Sequence, residues 1–186
     1  RDPPKRPTSG PVGSVARYVW ADDQARLIGG LEAMATTLRG AGHRAVVVTD
    51  QNNQVDRAAA HRAGLGWFGK NANLLVPGRG SWFVLGSVMT DAGPDDLAGL
   101  SEVADPKVVD DGCGSCARCI EACPTAAIVA PGVVDARRCL SWTLQATGSF
   151  PVDQRVALGD RIYGCDDCQE VCPPNRRELL RAAPGG

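Results

Sequence analysis

The sequence predicts an α+β fold, in which a half of mixed helices and strands precedes a cysteine-rich half. Apolar residues recur at helical spacing after residue 22, and a short β-branched run follows them. Helix, strand, helix and hairpin in that order are typical of an α+β layer. All eight cysteines lie between Cys113 and Cys172, which predicts a separate metal-binding part.

The first half contains two predicted helices and three predicted strands. Asp22 and Asp23 are good N-cap residues, and the apolar positions after them repeat until Gly40. The run from Ala45 to Thr49 predicts a buried strand that ends at Asp50. The remaining predictions are a helix over residues 55–63 and a hairpin of strands over 74–76 and 81–89, joined by a turn at 77–80.

Composition predicts where the domains begin and end. Residues 91–111 hold many Asp, Gly and Pro and show little periodicity. Short helices are expected near residues 137–147 and 175–182. We therefore expect a tail over 1–13, an α+β domain over 14–91, a linker over 92–111 and a cysteine-rich domain over 112–180. Because the chain begins with Arg, we expect it to be a piece of a longer protein.

Charge and hydropathy exclude several classes of protein. The net charge of −1 gives no overall attraction to nucleic acid or to anionic lipid. No apolar run reaches the roughly 20 residues that span a bilayer, and the first residues lack the apolar centre of a secretory signal. Because the cysteines cluster in one half, we expect a monomer in the reducing cytoplasm, with no membrane partner.

The first cysteine motif is a bacterial ferredoxin run. Cys113, Cys116, Cys119 and Cys123, followed by Pro124, match C-x2-C-x2-C-x3-C-P. A tight loop with a thiolate at every third residue can reach three iron atoms of one [4Fe–4S] cluster. The fourth cysteine lies further along the chain and turns to a second cluster.

The second motif is incomplete, and one distant cysteine completes it. Cys165, Cys168 and Cys172 repeat the spacing, but Ile162 stands where the first thiolate belongs, and Cys139 is left unassigned. The spacing therefore predicts two crossed ligand sets. The first set is Cys113, Cys116, Cys119 and Cys172; the second set is Cys123, Cys139, Cys165 and Cys168.

Other interpretations of these motifs are weaker. Structural zinc uses paired C-x2-C units, which do not account for two C-x3-C-P endings. Four disulfides would need an oxidising compartment. Residues 64–69 match G-x-G-x-x-G, but a helix rather than a strand precedes them, so we reject a dinucleotide site. His43 and His61 are interpreted as ordinary surface residues.

Several segments outside the cysteines resemble one enzyme family. The similarity runs from about Ala16 to Asn175 and preserves the order and spacing of all eight cysteines. The chain resembles the epoxyqueuosine reductases. The segments that carry the resemblance are residues 56–60, 63–71, 80–86, 135–139 and 161–169.

The resemblance implies a fold, cofactors and roles for individual residues. It implies a nitroreductase-like, cobalamin-binding half followed by a bacterial ferredoxin-like domain with two [4Fe–4S] clusters. Electrons would pass from an external low-potential donor through the clusters to cobalamin, and the reduced cobalt would convert epoxyqueuosine to queuosine in tRNA. Alignment on the shared segments places Asp50 as the proton donor and as a residue beside cobalamin. The other cofactor contacts that the resemblance implies are Lys70, Asn71, Cys165 and Asp166.

Two further functions remain open from the sequence alone. A ferredoxin-type module would use the clusters to pass electrons to a partner protein. A corrinoid reductase of another substrate, similar to reductive dehalogenases, would share the same cofactors. Cobalamin binding separates the first alternative from the two corrinoid reductases.

Overall fold

The computed structural model describes residues 9–50, 54–97 and 112–176. Its strands are β1 (Ser14–Val15), β2 (Ala45–Val48), β3 (Trp67–Phe68), β4 (Leu74–Leu75), β5 (Ser87–Thr90), β6 (Ile128–Ala130), β7 (Val133–Val134) and β8 (Arg161–Tyr163). Its α-helices are α1 (Asp23–Gly40), α2 (Asp56–Arg62), α3 (Pro94–Leu97), α4 (Arg118–Glu121), α5 (Leu140–Thr143), α6 (Arg155–Leu158) and α7 (Asp167–Glu170). Turns of 3₁₀ helix lie at Arg17–Val19, Ala136–Arg138 and Val152–Gln154. This mixture of helices and strands confirms the predicted fold class.

The chain forms two compact units that interleave along the sequence. The helical unit contains Asp22–Gly66 and the described residues from Phe83 to Leu97. The cysteine unit contains the described residues before Asp22, Trp67–Trp82 and the described residues from Gly112 onward. The predicted domain boundaries at residues 14, 92 and 112 stay a prediction.

The helical unit is built on α1 and a two-stranded antiparallel sheet. Asp22 caps α1, because its side chain accepts a hydrogen bond of 2.8 Å from the Ala25 backbone N–H. Strand β2 pairs with β5, with Ala45 opposite Thr90 and Val48 opposite Ser87. A small core lies between helix and sheet, formed by Ala35, Leu38 and Ala45 with Val47, Val88, Ala92 and Leu97 packed around it.

Two details of this unit differ from the prediction. Strand β2 is not fully buried, because Val46 is 60% exposed while Ala45 and Val48 are buried. The described part of the predicted linker carries the short helix α3, whose Leu97 packs on the core. Residues 98–111 lie outside the described part of the chain.

The cysteine unit contains three small pairs of strands. The parallel pair β1–β8 joins the start of the described chain to the segment before Cys165, with Ser14 opposite Arg161. The other two pairs, β3–β4 and β6–β7, are antiparallel. The largest fully buried side chains among the described residues are Leu75, Leu140 and Asn175.

The predicted hairpin over residues 74–89 is wrong. Strand β4 pairs with β3, the strand that precedes it in the sequence, with Trp67 opposite Leu75. Strand β5 pairs with β2 in the helical unit. The turn at residues 77–80 does form, closed by a bridge between Val76 and Gly80. Strand β4 belongs to the cysteine unit and β5 belongs to the helical unit, so these two strands are not partners. None of the helices in the described ranges has the length and apolar character needed to cross a membrane.

Candidate iron–sulfur site

The first cysteine motif forms a tight loop that leads into a helix. The Cys116 N–H donates to the Cys113 carbonyl at 3.0 Å, which closes the loop into a turn. Helix α4 then carries Cys119, and Cys123 follows one turn later. A tight turn followed by a helix is the local arrangement that the spacing of a ferredoxin motif predicts.

The second motif enters its helix from a strand. Strand β8 ends at Tyr163, and Gly164 follows with φ +73°, a conformation that disfavours any side chain. A Cβ at this glycine would also meet the Ala16 side chain at 2.5 Å. Cys168 lies on α7, and Cys172 follows it. The Cys165 loop therefore requires glycine at position 164.

All eight cysteines are free thiols. The pKa of Cys172 is raised to about 11. Burial is the largest cause, and the charges of the neighbouring thiols Cys113, Cys119 and Cys116 contribute to the rise. Burial likewise raises the pKa of Cys119, with contributions from Cys113 and Cys116. The structure thus brings the four thiols of the first set together.

The thiols of the second set are neighbours as well. The pKa of Cys168 is raised to about 12. Burial is the largest cause, and the charges of Cys165, Cys139, Cys119 and Cys123 follow in that order. Burial also raises the pKa of Cys165 to about 11, and Cys139 adds to the rise. Because Cys119 belongs to the first set, the two sets adjoin.

Cys123 differs from the other thiols of its set. Burial raises its pKa, but hydrogen bonds outweigh that effect and the net shift is downward. The Ala127 backbone N–H donates to the Cys123 Sγ at 3.1 Å, and Thr125 contributes further hydrogen bonds. This environment stabilises a thiolate, the form in which cysteine binds iron.

The donor chemistry fits iron–sulfur clusters. Thiols gathered in a buried group resist ionisation together, and positive iron relieves the repulsion between the thiolates. A cavity of about 650 Å³ opens beside the first motif and is lined in part by Cys113, Cys116 and Pro173. Within the three described ranges, no three Cys, His, Asp or Glu side chains meet closely enough to bind a single metal ion.

The residues with implied cofactor contacts have protein partners in the cysteine unit. The Lys70 Nζ donates to the Gly114 carbonyl at 2.6 Å, inside the first cysteine loop. The buried Asn71 donates through Nδ2 to the Cys168 carbonyl at 3.2 Å. Asp166 accepts the Arg17 backbone N–H at 2.6 Å, and burial raises its pKa. Together with Cys165, these side chains surround the cysteine motifs.

Asp50 lies in the helical unit, two residues after β2 ends. Its side chain is exposed, and its φ of +46° is rare for a residue with a Cβ. Aspartate tolerates this left-handed conformation better than most residues. Residues 51–53 lie outside the described part of the chain.

Comparisons with known proteins agree on one family. The 4Fe-4S double cluster binding domain family matches residues 112–175. The epoxyqueuosine reductase of Burkholderia pseudomallei is 47% identical over 144 residues, which cover 77% of this chain and 34% of that protein. The epoxyqueuosine reductase of Xanthomonas campestris is 40% identical over 169 residues, which cover 87% of this chain and 44% of that protein.

Solved structures give the same result. A crystal structure of epoxyqueuosine reductase with an epoxyqueuosine-modified tRNA stem loop matches 95% of this chain with a TM-score of 0.81 and 34% identity. Over most of its own length, the chain is similar to the epoxyqueuosine reductases. An epoxyqueuosine reductase from Bacillus subtilis, whose catalytic aspartate loop is swung out of the active site, matches 82% of this chain with a TM-score of 0.69 and 36% identity. The chain spans 45% and 38% of those two reductase chains.

Sequence reasoning missed several residues of this site. Asn175 is fully buried and accepts the Ser81 N–H at 2.6 Å. The Arg17 guanidinium is stacked between two indoles, 5.0 Å from the ring centre of Trp20 and 4.7 Å from that of Trp82. No periodic pattern marks the contacts of Asn175 with Ser81 and of Arg17 with Trp82, because each joins residues far apart in the sequence. The histidines also have partners, since His61 Nδ1 lies 2.8 Å from the Gly66 carbonyl oxygen and His43 is 3.9 Å from Asp91.

Proposed function

We propose that this chain takes part in the reduction of epoxyqueuosine to queuosine in tRNA and passes electrons through two [4Fe–4S] clusters. One observation carries the proposal: eight free thiols lie in two adjoining groups, within a fold that matches a tRNA-bound epoxyqueuosine reductase over 95% of the chain. The partners in the proposal are tRNA and an external low-potential electron donor. The proposal also includes a monomer that works in the reducing cytoplasm, the kind of compartment in which thiols stay reduced.

The first and second cysteine sets are proposed as the ligands of the two clusters. Each set supplies four thiolates, one for each iron of a cubane. Cys123 ends the first motif but belongs to the second set, and Cys172 ends the second motif but belongs to the first set. Because the ligand sets cross in this way, the two clusters share one folded unit. Their adjacency through Cys119 and Cys168 suits transfer of single electrons from one cluster to the other.

Cobalamin is proposed as the third cofactor, and the first half as nitroreductase-like. When bound, cobalamin would supply a strongly reducing cobalt centre for epoxide chemistry. The chain offers polar groups that a ligand could use. Asp50 is exposed at the end of a strand, and the buried Trp82 Nε1 donates to no acceptor within the described residues. The residues proposed to hold cobalamin are Asp50, Lys70, Asn71, Cys165 and Asp166.

Asp50 is proposed as the proton donor. Loss of an epoxide oxygen as water needs two electrons and protons, so a positioned acid must accompany the reductant. Asp50 lies at the carboxyl end of β2, where the chain leaves the sheet and presents its side chain to solvent. A carboxyl at this position can exchange protons with bulk water between turnovers.

The Asp50→Asn variant tests this role. The chain is reconstituted anaerobically with iron, sulfide and cobalamin, and conversion of an epoxyqueuosine-modified tRNA stem loop is measured. We expect Asp50→Asn to lower the rate by about 100-fold or more, with unchanged iron content. The exposed Asp153→Asn is the matched control and should convert normally. Normal turnover by Asp50→Asn would remove this residue from the mechanism.

A second function is a ferredoxin-type electron-transfer module. All eight thiols lie in the cysteine unit, and the 4Fe-4S double cluster binding domain family matches that stretch of the chain. The chain spans 34% and 44% of the two curated reductases. The same assay separates the two functions. If the loaded chain reduces an added one-electron acceptor but forms no queuosine with cobalamin and stem loop present, the module function is correct.

A further inference from the structure

Lys70 places a positive charge on the loop of the first cysteine motif. Its Nζ donates to the Gly114 carbonyl at 2.6 Å, and Gly114 stands between Cys113 and Cys116. The lysine comes from the segment between β3 and β4, so it reaches the loop across 44 residues of sequence. This contact holds an ammonium group on the loop segment between Cys113 and Cys116.

The backbone around Lys70 is held on several sides. The Lys70 carbonyl accepts the Gly132 N–H at 2.9 Å, and the Gly69 N–H donates to Asn73 at 2.8 Å. The next residue, Asn71, is buried and bonded to the Cys168 carbonyl. Because hydrogen bonds hold the residues on both sides of Lys70, the backbone position from which its side chain extends is fixed.

No acidic side chain pairs with Lys70 within the described residues, whereas Arg137 pairs with Asp135 at 3.0 Å and Arg161 pairs with Asp167 at 2.6 Å. A paired cation acts on its surroundings as part of a near-neutral dipole. Lys70 carries its charge without such a partner, at a surface site where solvent screens part of that charge.

We propose that Lys70 raises the reduction potential of the cluster bound by the first set. This inference rests on the cluster ligands proposed above. Reduction of a [4Fe–4S] cluster adds one electron and hence one negative charge, while no bond forms or breaks. A fixed cation stabilises that added charge, and net charge around a cluster is one of the factors that set its potential. Lys70 is thus a positioning residue that favours electron acceptance by the first cluster.

Substitutions of Lys70 separate its charge from its hydrogen bond. Lys70→Met removes both, and Lys70→Gln removes the charge but keeps a donor for the Gly114 carbonyl. Lys70→Arg keeps the charge. A purely structural role would therefore leave Lys70→Gln equal to the parent chain, whereas the electrostatic role makes it resemble Lys70→Met.

The test is a redox titration of the anaerobically reconstituted chain, without cobalamin or tRNA. Dithionite supplies the electrons, and EPR follows each cluster. We expect Lys70→Met and Lys70→Gln to lower the midpoint potential of one cluster. Lys70→Arg should match the parent chain, and so should Arg155→Gln, which removes an exposed charge from α6. The shift should persist in a Cys139→Ala background, which retains all four ligands of the first set.

Several results would overturn the proposal. These are a parent-like potential in Lys70→Gln, a lowered potential in Lys70→Arg, or loss of the shift in the Cys139→Ala background. Iron content reports loading in each variant, and the Gln and Arg variants decide the question if Lys70→Met loses iron. Because no substrate is present, a chain that fails to reduce epoxyqueuosine still gives this result.

Discussion

At the scale of single residues, Asn175 joins the last cysteine to the first half of the cysteine unit. Its Nδ2 donates to the Ser81 Oγ at 2.9 Å and to the Gln169 carbonyl at 2.8 Å, and its Oδ1 accepts the Ser81 N–H. Its own N–H donates to the Cys172 carbonyl at 3.0 Å. Gly80 leaves room for this amide, because a Cβ there would collide with the Asn175 Oδ1.

Replacement of Asn175 by alanine should destabilise the cysteine unit. The change leaves the buried Ser81 N–H and the Gln169 carbonyl without their partner, at a cost of about 1–3 kcal/mol for an unsatisfied buried group. We expect Asn175→Ala to lower the melting temperature of the reconstituted chain. Iron should also be lost more readily on dilution, because Cys172 is next to the disturbed turn.

A surface amide provides the control for Asn175. Gln145 donates to the Ser141 carbonyl at 2.8 Å on an exposed face, so Gln145→Ala should change stability by less than about 0.5 kcal/mol. If Asn175→Ala has the same melting temperature and iron retention as Gln145→Ala, the Asn175 amide does not hold the Cys172 segment.

At the scale of elements, an ion pair closes the open end of the β2–β5 sheet. Asp91 follows β5 and accepts the Arg44 N–H at 2.7 Å and the Arg44 Nε at 2.8 Å, just before β2 begins. The side-chain and backbone hydrogen bonds from Arg44 lower the pKa of Asp91. The same contact raises the pKa of Arg44.

This contact makes a prediction about pH. Because the pKa of Asp91 is lower in the folded chain than the unfolded value of about 3.9, its stabilising contribution is complete above that value. The contribution is lost as the pH falls through the folded pKa. An NMR titration of the Asp91 carboxyl carbon should therefore give a midpoint below about 3.9. Arg44→Gln should move it upward, and Arg26→Gln, an exposed change in the same unit, should not. An ordinary midpoint in the parent chain would contradict the contact.

Local patterns predicted the elements that depend on local chemistry. Helix α1 follows from the Asp22 cap and the buried spacing of Leu31, Ala35 and Leu38, and β2 follows from its β-branched run. The hairpin over residues 74–89 failed because both strands found partners elsewhere, β4 with β3 and β5 with β2. The β2–β5 pair joins stretches that are far apart in the sequence, and such pairing leaves no mark on the sequence of either strand.

The same limit applies to the site. Cysteine spacing is enough to predict the two sets of thiols, because each motif folds as one short loop and helix. The contacts of Asn175 with Ser81 and of Asn71 with Cys168 span 94 and 97 residues and involve single polar side chains. The sequence of a loop does not show whether a single Asn in it is buried or exposed to solvent.

At the scale of the whole molecule, the cysteine unit is assembled from three separate stretches of chain. The stretch before Asp22 supplies β1 and Arg17, the stretch Trp67–Trp82 supplies Lys70 and Asn71, and the last stretch supplies every thiol. The first two stretches hold the loops that carry the cysteines. We therefore expect residues outside the ferredoxin motifs to affect how firmly the proposed clusters are bound.

Metal analysis of the anaerobically reconstituted chain tests the two crossed clusters most directly. Two [4Fe–4S] clusters require about eight iron atoms and eight sulfide ions per chain. Cys139→Ala removes a ligand of the second set alone, so it should retain about four of each, with the EPR signal of one reduced cluster. About two zinc atoms without iron in the parent chain, or an unchanged iron content in Cys139→Ala, would contradict the proposed clusters and their ligands.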